Sequence, residues 1–138
     1  MKYATLETGS PDGQLALVAD DGTTCQLAEG MTLQALLDGA KPQWSDPAMP
    51  FDESVCLSPL PRAYQFLDGS AYVNHVDLVR RARGAEMPDR FWHDPLMYQG
   101  GSDSFLAPTA PIPGDPSWGI DFEAEVAVIT GPVPMGAT

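Results

Sequence analysis

Proline placement limits this chain more than any other feature. Pro42, Pro47, Pro50, Pro59 and Pro61 all fall within the segment 41–61. Each fixes its own φ, lacks a backbone N–H and pushes the preceding residue away from helical geometry. The segment can hold neither a long helix nor a central strand, and it is expected to run extended over a surface.

Before it, residues 3–7 and 14–19 have strand character, and Asp21-Gly22 is a strong hairpin signal that returns the chain as a third strand over 23–27. A short helix follows, with Thr32 as N-cap, Leu33, Leu36 and Leu37 on one face, and Gly39 just past its end. After the proline-rich segment, a second section begins near Ser58. Residues 64–67 are strand-like, Asp68-Gly69-Ser70 reads as a turn in which Ser70 can cap a helix, and 72–83 has helical character. Tyr72, Val76, Val79 and Ala82 fall on one face of that helix, its basic residues gather at the C-terminal end, and Gly84 can close it. Residues 87–116 are loop-rich, as segments that line a site or an interface often are. Over 119–129 the pattern alternates: Phe122, Ala124, Val126 and Val128 point one way, and Asp121, Glu123, Glu125, Ala127 and Ile129 the other, which predicts a strand. The predicted fold class is mostly β with short helices (α+β). A small antiparallel N-terminal domain and linker span 1–57, and a second domain spans 58–138.

Seven basic residues against nineteen acidic ones leave a net charge of -12. Such a surface repels phosphate backbones, and Arg80, Arg81 and Arg83 at one helix end do not make a basic stripe, so nucleic acid is not an expected partner. No apolar run approaches the roughly 18–20 residues of a membrane helix. An acidic surface also repels small anionic substrates, unless a cation or local arginines reverse the sign inside a pocket. Cys25 and Cys56 belong to no CxxC pair, and two reduced structural cysteines suit a cytoplasmic protein.

Glu123 and Glu125 are the residues that bear on chemistry. Two positions apart on a strand, they share a face with about 6.6 Å between Cα atoms, so both carboxylates can reach one hard cation such as Mg²⁺, Ca²⁺ or Mn²⁺. A solvated strand face carrying glutamates explains the same spacing. Asp68 beside Gly69 is either an ordinary turn aspartate or a third carboxylate, and His75 is either a surface helical histidine or a base beside the cation.

Four segments in this order, 58–65 (SPLPRAYQ), 68–75 (DGSAYVNH), 95–101 (PLMYQGG) and 118–128 (WGIDFEAEVAV), resemble the fumarylacetoacetate hydrolase family. The opening strands resemble the small domain that precedes the catalytic domain there. The resemblance implies that Asp68, Glu123 and Glu125 are ligands of a divalent metal, Mg²⁺ with Ca²⁺ or Mn²⁺ as alternatives. It implies His75 as the base that activates water, Tyr98 as a lining residue of the substrate pocket, and Arg83 as a contact for a substrate carboxylate. Ser70 stands where the well-known hydrolases carry a substrate-binding tyrosine. The implied activity is hydrolysis of a carbon–carbon bond in a 1,3-dicarbonyl acid of the fumarylacetoacetate or acylpyruvate type, in the breakdown of aromatic compounds. Hydratases and decarboxylases of small keto acids share the fold. The family also implies a homodimer for the full-length form. Its catalytic domain extends well beyond the length available after residue 58, so a truncated catalytic domain is expected, without the family's fourth metal carboxylate, its lysine and the glutamate that orients the histidine. The corresponding alternative is a non-catalytic fragment that pairs strands with a partner.

Overall fold

A computed structural model describes residues 1–101 and 105–137. Positions 102–104 of the expected loop-rich stretch, and position 138, lie outside the described residues. Contacts divide the chain into two units, Met1–Pro61 with Phe105–Thr138, and Arg62–Ser104. Strands predominate, and the α-helices are short, as the α+β expectation required.

The first unit is built on a curled antiparallel sheet of β1 (Lys2–Leu6), β2 (Gln14–Val18), β3 (Thr24–Leu27), β4 (Met49–Pro50) and β5 (Cys56–Leu57), in the order β4-β3-β2-β1-β5. The hairpin between β2 and β3 forms where the Asp21-Gly22 signal placed it. Asp21 Oδ1 accepts from the Thr23 N–H at 3.0 Å and from the Thr23 hydroxyl at 2.8 Å. Register then sorts the side chains. Ala4 opposes Ala16, and Val18 opposes Cys25, so these residues share a face with Leu6 and pack as one apolar cluster. Thr5 opposes Leu15 on the other face, where Leu15 packs with Ala28 and Leu33. Leu33 belongs to α1 (Leu33–Leu37), whose N-cap Thr32 accepts from the Ala35 N–H at 3.1 Å. Both faces of β2 are thus covered, which is why Leu15 and Ala16 are both fully buried. Burying a leucine of this kind stabilises the fold by about 1.5–3 kcal/mol.

The proline-rich segment was expected to interrupt ladders, yet it supplies both edge strands of this sheet, β4 and β5, with a single 3-10 turn (Glu53–Val55) between them. Ser45 takes up backbone groups that proline neighbours cannot pair: its N–H donates to Leu27 O at 2.8 Å and its hydroxyl accepts from the Leu27 N–H at 2.9 Å. The buried Thr5 hydroxyl donates to Pro59 O at 2.6 Å, tying the end of the segment to β1.

Residues 119–129 do not form the predicted strand. The segment is extended but enters no ladder, and Val126 and Phe122 are 97% and 83% exposed. Alternation records which side chains could share a buried face. A strand exists only when a neighbour pairs with its N–H and C=O groups, and none of the described residues does so here.

In the second unit, β6 (Leu67–Ser70) pairs antiparallel with β7 (Leu96–Gln99), and α2 (Val73–Ala82) lies beside β6. Two expectations need correction. Asp68, Gly69 and Ser70 lie inside a strand and not in a turn, because β7 arises within the predicted loop and supplies a partner that Gly69 tolerates opposite Met97. The α2 N-cap is Tyr72, with no side-chain cap bond, so Ser70 does not cap it. The covered face of α2 matches the expected one only in part. Val76 and Val79 are half-buried as expected, but so are Val73, Asp77 and Arg80, while Tyr72 and Ala82 are exposed.

Candidate functional site

The β6–β7 ladder brings together three of the residues singled out from sequence. Asp68 lies directly opposite Tyr98, and Ser70 directly opposite Leu96. Directly opposed residues of an antiparallel pair share a face, and so do residues two apart on one strand. Asp68, Ser70 and Tyr98 therefore occupy a single face of the hairpin. The Tyr98 hydroxyl donates to Asp68 Oδ2 at 2.6 Å. Asp68 is half-buried, whereas Tyr98 is 59% exposed. Sequence reading took the two as separate contributors and missed their pairing. They are thirty residues apart, and no spacing rule connects them.

His75 lies in the first turn of α2, where its N–H donates to Tyr72 O at 2.9 Å, and its side chain is exposed. Arg83 is the C-cap of the same helix and is exposed too. The helix fixes where both residues leave the backbone, with the ring at its N-terminal end and the guanidinium at its C-terminal end.

Charge is distributed unevenly, a feature the net value hides. Five of the seven basic residues, Arg62, Arg80, Arg81, Arg83 and Arg90, belong to the second unit. Arg81 is paired with Asp77 through its Nε at 3.0 Å. Arg80 and Arg90 both lie over the Phe91 ring, at 4.8 and 5.5 Å from its centroid. The unit holding Asp68, His75 and Tyr98 is thus close to neutral, and it suits a small anion better than the whole chain does.

Glu123 and Glu125 lie in the exposed segment 119–129 of the other unit, outside any strand ladder. Their expected common face does not exist there, because no ladder fixes it. Among the described residues no three His, Cys, Asp or Glu side chains gather closely enough to hold a metal ion. The donor chemistry nonetheless fits a hard divalent cation, since all three candidate ligands are carboxylates and Asp68 keeps Oδ1 clear of the Tyr98 bond.

Carboxyls held below their ordinary range sit elsewhere. The Thr23 N–H and hydroxyl lower Asp21, and the hydroxyl and N–H of Ser54 and of Ser117 lower Asp52 and Asp115. These aspartates close turns and are not site groups. A hollow of about 300 Å³ in the first unit is lined by Leu17, Val18, Cys25 and Gln26 among others, and by none of the candidate residues.

Two family models match the chain. Residues 1–46 match fumarylacetoacetase N-terminal domain 2, and residues 65–137 match the fumarylacetoacetate (FAA) hydrolase C-terminal model. The second match contains Asp68, Ser70, His75, Arg83, Tyr98, Glu123 and Glu125. No curated protein matches the chain.

Proposed function

Because this chain belongs to the fumarylacetoacetate hydrolase family, whose domains serve hydrolase- or lyase-type chemistry, we propose that it contributes to hydrolysis of a carbon–carbon bond in a small 1,3-dicarbonyl acid. Enzymes of the family generally bind a divalent metal. Asp68, Glu123 and Glu125 would hold Mg²⁺, or Ca²⁺ or Mn²⁺ in its place, as three hard oxygen donors. When bound, the ion supplies polarisation of the substrate's carbonyl oxygens and stabilises negative charge that develops on them.

The chain's own groups have the remaining tasks. His75 accepts a proton from water, which makes that water a nucleophile toward the carbonyl carbon near neutral pH. Arg83 offers a forked donor to the substrate carboxylate. Ser70 gives a short hydroxyl where a longer phenol would fill the pocket, so a bulkier acyl end fits this site better. The single observation that carries the reading is the shared hairpin face of Asp68, Ser70 and Tyr98. Two segments of the family match that lie about thirty residues apart, 68–70 and 96–99, present these three side chains on one surface. The same reading puts the protein in the cytoplasm, as a homodimer in its full-length form. Among the described residues no helix is long and apolar enough to cross a membrane.

The experiment is to incubate the chain with Mg²⁺ and an acylpyruvate, follow loss of the enol absorbance in the ultraviolet, and identify the products. Two carboxylic acids are expected. A His75→Ala variant should lower kcat by about 10²–10⁴-fold, the range for loss of a general base. Carbon dioxide as product would replace hydrolysis with decarboxylation, and an unchanged kcat in His75→Ala would refute the base role. No turnover in any variant would reduce the chain to a non-catalytic strand-pairing fragment.

A further inference from the structure

We propose that Tyr98 is a positioning residue for Asp68: its hydroxyl holds the carboxylate by Oδ2 so that Oδ1 is presented in one fixed direction to a divalent cation. This inference rests on the metal role given to Asp68 above, and it assigns Tyr98 a task other than lining a pocket.

The separation of 2.6 Å lies in the range of a charge-assisted O–H···O⁻ bond, about 2.5–2.7 Å. The bond follows from register, because Asp68 and Tyr98 are cross-strand partners and their Cβ atoms leave the ladder on the same side. A carboxylate turns easily about its last torsion, whose energy wells are broad. Fixing one oxygen removes that freedom and leaves the other with a set direction. Mg²⁺ demands near-octahedral geometry, so a ligand oxygen already aimed has less to lose on binding. At 59% exposure the Tyr98 ring has solvent around it, and its hydroxyl could be satisfied by water alone. Hydrogen-bonded partners behind metal-ligating groups commonly control affinity in this way, and their loss costs about 10–100-fold.

The test uses the full chain as wild type, Tyr98→Phe, Asp68→Asn and the double variant, with Mn²⁺ alone as the probe. Mn²⁺ dissociation constants are read by titration calorimetry, and the Asp68 carboxyl ¹³C resonance by NMR without metal. Met97→Leu, on the opposite hairpin face, is the control, and amide spectra verify the fold of each variant. Tyr98→Phe is expected to weaken Mn²⁺ about 10-fold or more, and to add no loss on top of Asp68→Asn. The Asp68 carboxyl resonance should move in Tyr98→Phe before any metal is added. If Tyr98→Phe binds as tightly as wild type while Asp68→Asn is weakened, the positioning role is overturned and the metal role of Asp68 stands. If Tyr98→Phe weakens binding equally in both backgrounds, Tyr98 acts independently of Asp68 and the proposal falls. If Asp68→Asn is indistinguishable from wild type, the metal reading itself falls and takes this inference with it.

Discussion

Two glycines with the same backbone sign and opposite surroundings give a direct test of the N-terminal sheet. Gly13 has φ +61° and Gly22 has φ +75°, both in the left-handed region. A Cβ at Gly22 would meet nothing within 4 Å. At Gly13 it would stand 2.6 Å from Thr5 Cγ2, 2.7 Å from the Leu6 carbonyl oxygen and 3.0 Å from Leu57 Cδ1. The Leu6 oxygen is strand backbone and cannot move aside without disturbing β1. Gly22→Ala therefore carries only the left-handed penalty of about 1–2 kcal/mol, offset by about 0.4–1 kcal/mol from a less flexible unfolded chain. Its net cost should be roughly 1 kcal/mol or less. Gly13→Ala adds an overpacking cost of about 1–3 kcal/mol, for a total of roughly 2–4 kcal/mol. At about 4–8 °C per kcal/mol for a unit of this size, Gly22→Ala should melt within about 8 °C of wild type, and Gly13→Ala about 8–32 °C lower, at least about twice as far as Gly22→Ala. Urea and thermal unfolding followed by far-ultraviolet dichroism and by fluorescence give both numbers. Trp44 is the useful reporter because it packs against the Leu15 cluster, whereas Trp92 and Trp118 are exposed. Equal destabilisation by the two substitutions would refute the close approach of Gly13 to β1, and with it the β1–β2 register.

Other consequences separate the packed from the unpacked parts. Leu15→Ala should cost about 2–5 kcal/mol in a urea titration, because the side chain is fully buried, while Val126→Ala should stay within about 0.5 kcal/mol of wild type at 97% exposure. A cost above 1 kcal/mol at Val126 would mean that 119–129 is packed after all. Burial pushes the Cys25 thiol up, and burial together with the charges of Glu53 and Asp52 pushes Cys56 up. A thiol reagent at pH 8 should react at least about 10-fold more slowly with the folded chain than with the urea-unfolded one, and equal rates would contradict the burial. Raised folded values also set a sign. Stability should be flat below the unfolded thiol value near about 8.5 and fall above it, because the unfolded chain ionises first. Urea midpoints between pH 8 and 10 check that direction.

What could be read from sequence divides along the range of the interactions involved. The Asp21-Gly22 hairpin and the Thr32 cap depend on neighbours within a few residues, and both appear as the pattern says. The same holds for α2, whose core of 73–82 lies inside the predicted 72–83. Its half-buried side takes in Val76 and Val79 as expected but also Val73, Asp77 and Arg80, because the covered side is chosen by what packs on it and nothing within the helix records that. The misread elements needed a distant partner. Gly69 looked like punctuation because glycine usually is, yet β7, almost thirty residues on, draws Asp68, Gly69 and Ser70 into a strand. Residues 119–129 show the converse, an alternating pattern with no strand beside it.

The same division governs the site. The family resemblance picks out Asp68, His75, Tyr98, Glu123 and Glu125 together, and all five lie within the residues the family model matches. Their meeting points were not, because convergence is a property of ladders and packing. Where a ladder exists, at β6–β7, two of these groups are already joined by a 2.6 Å bond. Where none exists, at Glu123 and Glu125, no strand partner fixes the two carboxylates on one face. Strand pairing, cation binding, or both acting together would bring them onto one face. Carboxylates two apart on an unpaired segment repel one another, and a divalent ion between them would both remove the repulsion and favour the extended geometry a ladder requires. Metal binding and pairing of 119–129 are therefore expected to be coupled, each strengthening the other by the same factor, as linkage demands of two events that share one conformational change.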